Sequence, residues 1–384
     1  MKLFDEPIKL KGGMEIRNRL MFPPTVVFRA DLMTAYVTDN LIDIYKKLAA
    51  SGVGILVQEL TFVLMPIPST IGCHHDGCLE GLTKMVQAVK SVPNPPKFFA
   101  QFGMPMPGMN NVSEIPAEMI EMGIQLHIDG AERLKKAGYD GVEIHGAHSY
   151  MVAAMISYRN KRTDQWGGSF ENRMRFPKRI FEGVKERCGD DFPVAMRMNG
   201  DDFIVGGNTL AQTTEIAPYM AELGVEYISV SAGAKAQDAW HPIDTYLLFP
   251  YPKPEPWDGD GNVRGYSGHR CVPPAYMPDC TNVYLAEAIK ESVKGKGVPV
   301  ITAGKIRTID QAEQILQKGK ADIVAICRSI LCDHEWAIKQ KAGKSDKVIW
   351  CTWCNECMDS ARRGFPTTCP LWTENNGKMP EGTV

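Results

Sequence analysis

The sequence lacks the features that would mark a membrane-anchored, secreted or nucleic-acid-binding protein. Its first ten residues, MKLFDEPIKL, are interrupted by Asp5, Glu6 and Pro7, so they contain no continuous apolar run for a signal peptide or an anchor. The formal net charge is only −2 and no basic run stands out, which argues against nucleic acid or an anionic membrane as a partner. We therefore expect a cytoplasmic protein that acts on a small-molecule substrate or contacts another protein.

A GxGxxG motif is also missing after every apolar run, which removes the usual fingerprint of a dinucleotide-binding sheet. The chain does have eight short apolar runs separated by helical patterns. They span residues 20–24, 54–59, 97–102, 140–145, 193–199, 225–230, 298–302 and 321–326. Runs that are apolar throughout indicate a parallel sheet covered on both faces. Eight strand–helix units predict an α/β fold, a closed (β/α)8 TIM barrel; an open doubly wound sheet is the alternative.

We assign residues 1–340 to the barrel domain and residues 341–384 to a C-terminal extension. Within the barrel, residues 232–280 form a connection rich in Pro, Gly, Trp and Tyr, far longer than the usual loop of a few residues. Barrel active sites lie at the carboxyl ends of the strands. We therefore expect this long loop to cap the substrate, and we expect functional side chains just beyond each strand.

Two imidazoles and a phenol follow the fourth apolar run, at His145, His148 and Tyr150. A single buried histidine is commonly only a core residue. Three proton-bearing groups within six residues, all at the rim of the barrel, instead indicate a catalytic role.

Arg197 lies near the end of the fifth run, where its neighbours are apolar. A buried guanidinium needs an anionic or carbonyl partner, because an unpaired buried charge is costly. The partner is either a carboxylate, Glu59 or Asp201, or a bound cofactor.

The seventh and eighth runs are followed by the segments ITAGKIR and AICRS. In TIM barrels the loops after these two strands often form a phosphate site from backbone amides and a helix N-terminus. Gly304 supplies the flexibility that such a turn needs, and Arg328 offers a bidentate fork to a phosphate. The pattern therefore predicts a phosphate site at the mouth of the barrel.

Four of the eleven cysteines crowd the C-terminal extension with the spacing C-x2-C-x2-C-x11-C, at Cys351, Cys354, Cys357 and Cys369. A tight triple followed by a more distant cysteine predicts a [4Fe–4S] cluster. Structural zinc is the alternative, although its usual layout is two separated C-x2-C pairs. The other cysteines are interpreted as small buried hydrophobic residues, and the segment CHHDGC at residues 73–78 as an ordinary loop.

The motifs VEIHGAHSY, RTDQWGGSFENR and AGKIRTIDQAEQIL, together with the cysteine spacing, resemble the old yellow enzyme family. The resemblance covers nearly the whole chain and is closest to the branch of 2,4-dienoyl-CoA reductase and trimethylamine dehydrogenase. It implies an ene-reductase that uses FMN and a [4Fe–4S] cluster to reduce the activated C=C bond of an α,β-unsaturated carbonyl or enoyl-CoA-type substrate. An amine dehydrogenase that passes electrons from FMN to the cluster is the alternative, and a non-catalytic electron-transfer subunit is the weaker one.

The same resemblance implies how FMN is held. The isoalloxazine ring would meet the backbone of Pro24 and Thr25 and the amide of Gln101, with Arg197 beside its N1 and O2 edge, where a cation stabilises the anionic reduced flavin. The phosphate would lie at the turns after the seventh and eighth runs. With Glu59 beside Arg197, the residues expected to bind FMN are Pro24, Thr25, Glu59, Gln101, Arg197, Gly304, Lys305, Cys327 and Arg328.

For catalysis, the resemblance implies that His145 and His148 bind the substrate's carbonyl oxygen and that Tyr150 donates a proton. The step Trp240–His241 resembles the Trp-His step of the dienoyl-CoA reductase loop, where the histidine assists protonation. Relatives of this type continue into a flavin and pyridine-nucleotide domain, whereas this sequence stops at Val384. We therefore expect a separate ferredoxin-like or flavoprotein electron donor to dock near the cysteines. We also expect an anaerobic host, and the chain could form a homo-oligomer.

Overall fold

The computed structural model describes residues 2–105, 112–204, 206–233, 266–362, 365–375 and 379, and a closed barrel of eight parallel strands forms its centre. The barrel strands are β3 (Leu20–Phe22), β4 (Ile55–Phe62), β5 (Lys97–Gly103), β6 (Gly141–Gly146), β7 (Val194–Asn199), β8 (Ile228–Ser231), β9 (Val300–Thr302) and β10 (Ile323–Ala325). They follow one another in chain order, and β10 pairs with β3 to close the ring. Each predicted apolar run overlaps one strand, so the predicted (β/α)8 barrel is confirmed and the doubly wound sheet was wrong.

Helices surround this barrel, and several of them begin with a side-chain cap. They are α1 (Asp39–Ala49), α2 (Leu79–Lys90), α3 (Ala117–Ala137), α4 (Met151–Ile156), α5 (Phe170–Cys188), α6 (Leu210–Leu223), α7 (Tyr266–Cys271), α8 (Val283–Ser292), α9 (Ile309–Gln317), α10 (Arg328–Cys332), α11 (Trp336–Lys341) and α12 (Glu356–Arg362). At α1 the side chain of Thr38 accepts from the Leu41 N–H, and α9 begins with a capping box of Thr308 and Gln311. Both arrangements satisfy N–H groups that have no partner within the helix.

Side chains on alternate strand positions fill two separate cores. Phe99 packs inside the barrel, while its neighbours Phe98 and Ala100 pack outward beneath the helices, as the two-residue repeat of a strand requires. A hairpin of β1 (Ile8–Lys9) and β2 (Glu15–Ile16) adds apolar residues to the inner core. Its turn hydrogen-bonds to Glu226, just before β8. The hairpin therefore covers the amino end of the barrel, and the carboxyl end is the one that can receive a ligand.

The C-terminal segment packs against this carboxyl end. The Thr367 N–H donates to the Val27 carbonyl at 2.9 Å, and the Trp372 indole donates to the Cys332 carbonyl at 3.0 Å. Val27 follows β3, and Cys332 ends the helix that follows β10. The cysteine motif is thereby held beside the open face of the barrel. Within the described residues, none of the helices has the length and apolarity needed to cross a bilayer.

Candidate active site

A cavity opens at the carboxyl end of the barrel and encloses about 1110 Å³, including its mouth. Eleven of the predicted catalytic and cofactor residues line it: Pro24, Thr25, Gln101, His145, His148, Tyr150, Arg197, Gly304, Lys305, Cys327 and Arg328. Glu59 does not line it, and His241, with Trp240, lies outside the described residues.

The predicted catalytic side chains converge at one wall of the cavity. The ring of His145 lies 5.1 Å from that of His148 and 4.7 Å from that of Tyr150, between centroids. His148 has φ +55° and Ser149 φ +58°, a left-handed conformation that costs free energy for residues with a side chain. This turn after β6 directs both the second imidazole and the phenol back over the strand end.

Arg197 reaches the same wall through Ser231, the last residue of β8. The Arg197 Nη2 donates to the Ser231 hydroxyl at 3.2 Å, and that hydroxyl is hydrogen-bonded to His148 Nε2 at 2.7 Å. The Nε and Nη1 of Arg197 are buried, with no partner among the described protein atoms. Buried guanidinium donors of this kind require a polar ligand, and the carbonyl edge of a flavin fits that need. The sequence reasoning missed Ser231, although the rule that examines strand ends could have identified it.

Gln101 is oriented by a buried carboxylate that the sequence reasoning also missed. Its Nε2 donates to Glu143 Oε1 at 2.7 Å, which leaves the amide oxygen of Gln101 to accept from a ligand N–H. Burial raises the pKa of Glu143, and the nearby Arg197 partly offsets that increase. The Gln101 amide thus fits the pyrimidine edge of a flavin, and its hydrogen bond to Glu143 fixes the orientation of the amide.

Glu59 is buried and does not line the cavity. Its Oε2 accepts from the Val27 N–H at 2.8 Å, and the side chain is fully buried. Burial raises the pKa of Glu59 to about 8. The other carboxylate considered as a partner of Arg197, Asp201, accepts from the Phe203 N–H at 2.7 Å. The carboxylate whose pKa Arg197 does influence is Glu143.

The opposite end of the cavity is cationic. Lys305 and Arg328 line this end. With Arg197 at the catalytic wall, they are the three cations among the described residues that line the cavity, and none of those residues is a carboxylate. Gly304 has φ +119°, a conformation that glycine adopts at little cost, so the predicted flexible turn does form there. Burial lowers the pKa of Lys305 and that of Arg328, and a bound anion would oppose that effect. This end suits a phosphate group.

Two of these cations are also tied to neighbouring loops. Lys305 Nζ donates to the carbonyls of Ala275 and Met277, and Arg328 Nη1 donates to the carbonyl of Pro273 at 2.8 Å. The described end of the long 232–280 loop thus reaches the cavity. It contributes three wall residues, Cys271, Val272 and Pro273.

The four predicted metal-binding cysteines line a second, smaller cavity of about 330 Å³. They are Cys351, Cys354, Cys357 and Cys369. The Trp353 N–H donates to Cys351 Sγ at 3.4 Å, as amides do to the sulfurs of iron–sulfur clusters. Four thiols around one space fit a [4Fe–4S] cluster.

A fifth cysteine lines the same space and was not predicted. The Sγ of Cys332 lies 3.8 Å from that of Cys369, and Cys332 is 37 positions earlier in the sequence, so spacing could not reveal it. Arg328 lines both the large and the small cavity, and its guanidinium stacks on Trp353 at 4.4 Å. The two cavities therefore share a wall.

A parallel barrel with paired imidazoles, a phenol and an unsatisfied guanidinium at its carboxyl end has the architecture of a flavin-dependent oxidoreductase. The family described as NADH:flavin oxidoreductase / NADH oxidase matches residues 100–246 and 267–347. The chain belongs to this family, which is the old yellow enzyme family that the sequence motifs resemble, and it is an FMN enzyme.

Several known proteins are similar over most of the chain. An NADH oxidase of Thermoanaerobacter brockii is 34% identical over 378 residues, covering 90% of this chain and 52% of the relative. A cinnamate reductase of Clostridium sporogenes is 28% identical, covering 96% and 56%. An N,N-dimethylglycine/sarcosine dehydrogenase of Chromohalobacter salexigens is 32% identical, covering 62% and 30%. The chain thus spans about half the length of the first of these relatives, and less of the third.

Among solved structures, a 2-naphthoyl-CoA reductase in complex with 2-naphthoyl-CoA matches with a TM-score of 0.81 at 24% identity. The match covers 96% of this chain and 56% of that one. At this identity the likeness supports the fold alone.

Proposed function

We propose that the protein is an ene-reductase that uses FMN and a [4Fe–4S] cluster to reduce the activated C=C bond of an α,β-unsaturated carbonyl or enoyl-CoA-type substrate. The observation that carries this proposal is the convergence of His145, His148 and Tyr150 in one cavity wall beside Arg197. The cinnamate reductase relative, named for an unsaturated acid, supports the same class of substrate.

The residues of the cavity define how the flavin would be held. Arg197 and the amide oxygen of Gln101 would meet the ring, and the cationic end with Lys305 and Arg328 would meet the phosphate. When bound, FMN supplies the hydride equivalent that adds at the β-carbon of the substrate.

The chain's own side chains supply the rest of the chemistry. His145 and His148 would donate hydrogen bonds to the carbonyl oxygen, where negative charge develops in the transition state, so they stabilise that state more than the bound substrate. Tyr150 would donate its proton to the α-carbon. A substrate without a carbonyl next to the double bond would gain nothing from the two imidazoles.

The C-terminal cysteines would hold the cluster and connect the site to an electron donor. Cys354 is exposed and Arg328 lies in both cavity walls, so the cysteine loop offers a path from the surface to the flavin cavity. When bound, a [4Fe–4S] cluster supplies electrons one at a time. A separate ferredoxin-like or flavoprotein donor would dock at the Cys354 side, and the protein would act in the cytoplasm.

An amine dehydrogenase is the second candidate, because the dimethylglycine/sarcosine dehydrogenase relative is named for that activity. In that case electrons would flow from the amine through FMN to the cluster.

Anaerobic spectroscopy of the flavin band separates the two candidates. We expect enones, cinnamate-type acids and enoyl-CoA esters to reoxidise the dithionite-reduced protein, and we expect methylated amines to leave the oxidised protein unreduced. Reduction by an amine together with no response to any activated alkene would overturn the ene-reductase proposal.

A further inference from the structure

Outside the flavin and cysteine cavities, one more group of metal-binding side chains lies together in the described part of the chain. One ligand atom from each of His74, His75 and Cys78 lies within 4.8 Å of the other two. The group belongs to the segment between β4 and α2 that the sequence interpretation treated as an ordinary loop. We propose that His74, His75 and Cys78 bind one zinc ion, which fixes this loop at the carboxyl end of β4.

The separation of His74 and Cys78 suits a tetrahedral ion. His74 Nδ1 lies 3.8 Å from Cys78 Sγ. Zinc binds imidazole nitrogen at about 2.0–2.1 Å and thiolate sulfur at about 2.3 Å, so a tetrahedral site separates nitrogen and sulfur by roughly 3.6 Å. The pair needs to move by only a few tenths of an ångström to share an ion.

Two glycines make room for the imidazoles. A Cβ at Gly72 would lie 2.4 Å from His74 Nδ1, and a Cβ at Gly77 would lie 2.5 Å from His75 Cε1. Any other residue at either position would push the imidazole ring away from the proposed zinc position. The loop itself is anchored, because the Cys73 N–H donates to the Phe62 carbonyl at the end of β4.

His75 would exchange one interaction for another. Its Nδ1 accepts from the Gly77 N–H at 2.9 Å. An ion bound at Nδ1 would take that lone pair, and an ion bound at Nε2 would put the ring proton on Nδ1, so either mode replaces this hydrogen bond. His75 is exposed and Cys78 is buried, so the ion would sit at the surface with a water as its fourth ligand. Three protein ligands and a water are a common zinc arrangement.

The local charges permit a cation. A bound ion would deprotonate the Cys78 thiol, so the ion would face one thiolate and two neutral imidazoles. Arg133 opposes the ion, but its Nε is paired with Asp76 at 2.7 Å. Cys73 does not take part, because its thiol packs toward Gly130 and Val63 of the neighbouring core.

Zinc content and zinc X-ray absorption of the anaerobic holoenzyme, after one equivalent of Zn²⁺ and desalting, test the proposal. We expect about one zinc per chain with one sulfur and two nitrogen ligands, as three protein ligands plus water require. Zinc bound by the four C-terminal cysteines would instead show about four sulfur ligands. The two locations can therefore be distinguished whether or not the iron–sulfur cluster is present.

Matched variants complete the test. Cys78→Ser and His74→Ala should lose the retained zinc, while Cys188→Ser, a buried cysteine at the end of α5, should retain it. Flavin content equal to that of the unmodified chain would show that each variant is folded. Failure of the holoenzyme to retain zinc, a shell of four sulfurs, or full retention in folded Cys78→Ser would each overturn the proposal.

Discussion

Replacement of Tyr150 by Phe is expected to slow the reoxidation of the reduced protein by an enone by about 10²- to 10⁴-fold, the usual contribution of a general acid. The phenol lies in the cavity wall 4.7 Å from the His145 ring, and Phe keeps the ring while removing only the proton donor. Reduction of the flavin by dithionite should be unchanged, because that step needs no proton from Tyr150. Anaerobic stopped-flow absorbance at the flavin band measures both half-reactions.

Tyr158→Phe is the matched control for this experiment. Tyr158 lies just beyond α4 and is 46% exposed, and its ring contacts Lys161 without lining the cavity. We expect the control to reoxidise at the rate of the unmodified chain. Equal rates for Tyr150→Phe and the unmodified chain would remove the role assigned to the phenol.

Replacement of both Cys354 and Cys357 by Ser has the second large expected effect. Two of four thiolate ligands would be lost, and we expect the protein to retain almost none of the roughly four iron atoms of a [4Fe–4S] cluster. Turnover driven by a reduced ferredoxin should then fall at least about tenfold, since the relay that accepts single electrons would be missing. Enone reduction driven by dithionite should persist, because neither Cys354 nor Cys357 lines the flavin cavity.

Cys188→Ser serves as the control here as well, because it removes a thiol that lies outside the cysteine cavity. Iron analysis and ferredoxin-linked turnover should match those of the unmodified chain. A double variant that keeps full iron and full ferredoxin-linked turnover would contradict the assignment of the cysteine motif.

The barrel could be predicted from the sequence because its signals are local. A parallel strand covered on both faces is apolar throughout, so each run of such residues marked a strand directly. The helix caps at Thr38 and Thr308 are local features of the same kind, because each depends on residues three positions apart. Residues at strand ends, such as Tyr150 and Arg197, could be placed at the cavity because parallel strands present their carboxyl ends on one face.

Glu59 lies outside the cavity wall for a reason that local patterns do not show. Ile55 and Val57 face the inside of the barrel, and simple alternation would direct Glu59 the same way. The pairing of β4 with β5 shifts register between Gln58 and Thr61, so Leu60 lines the cavity instead. A bulge of this kind depends on the neighbouring strand and leaves no clear mark in the sequence.

Glu143 and Cys332 were missed for a related reason. Glu143 is an ordinary strand residue until its partner Gln101 on the adjacent strand is known. Cys332 joins the cysteine cavity only because α10 ends beside the C-terminal segment. Contacts between distant parts of the chain are set by the packing of the whole barrel, and spacing along the sequence does not encode them.

The most direct test of the account is the flavin content of the anaerobically purified protein and its affinity for added FMN. We predict about one FMN per chain, with binding weakened when Arg197 is replaced by Met, because its buried Nε and Nη1 would no longer meet the flavin ring. A colourless protein that fails to bind added FMN, or an Arg197→Met variant that binds it as tightly as the unmodified chain, would contradict the assignment of the cavity.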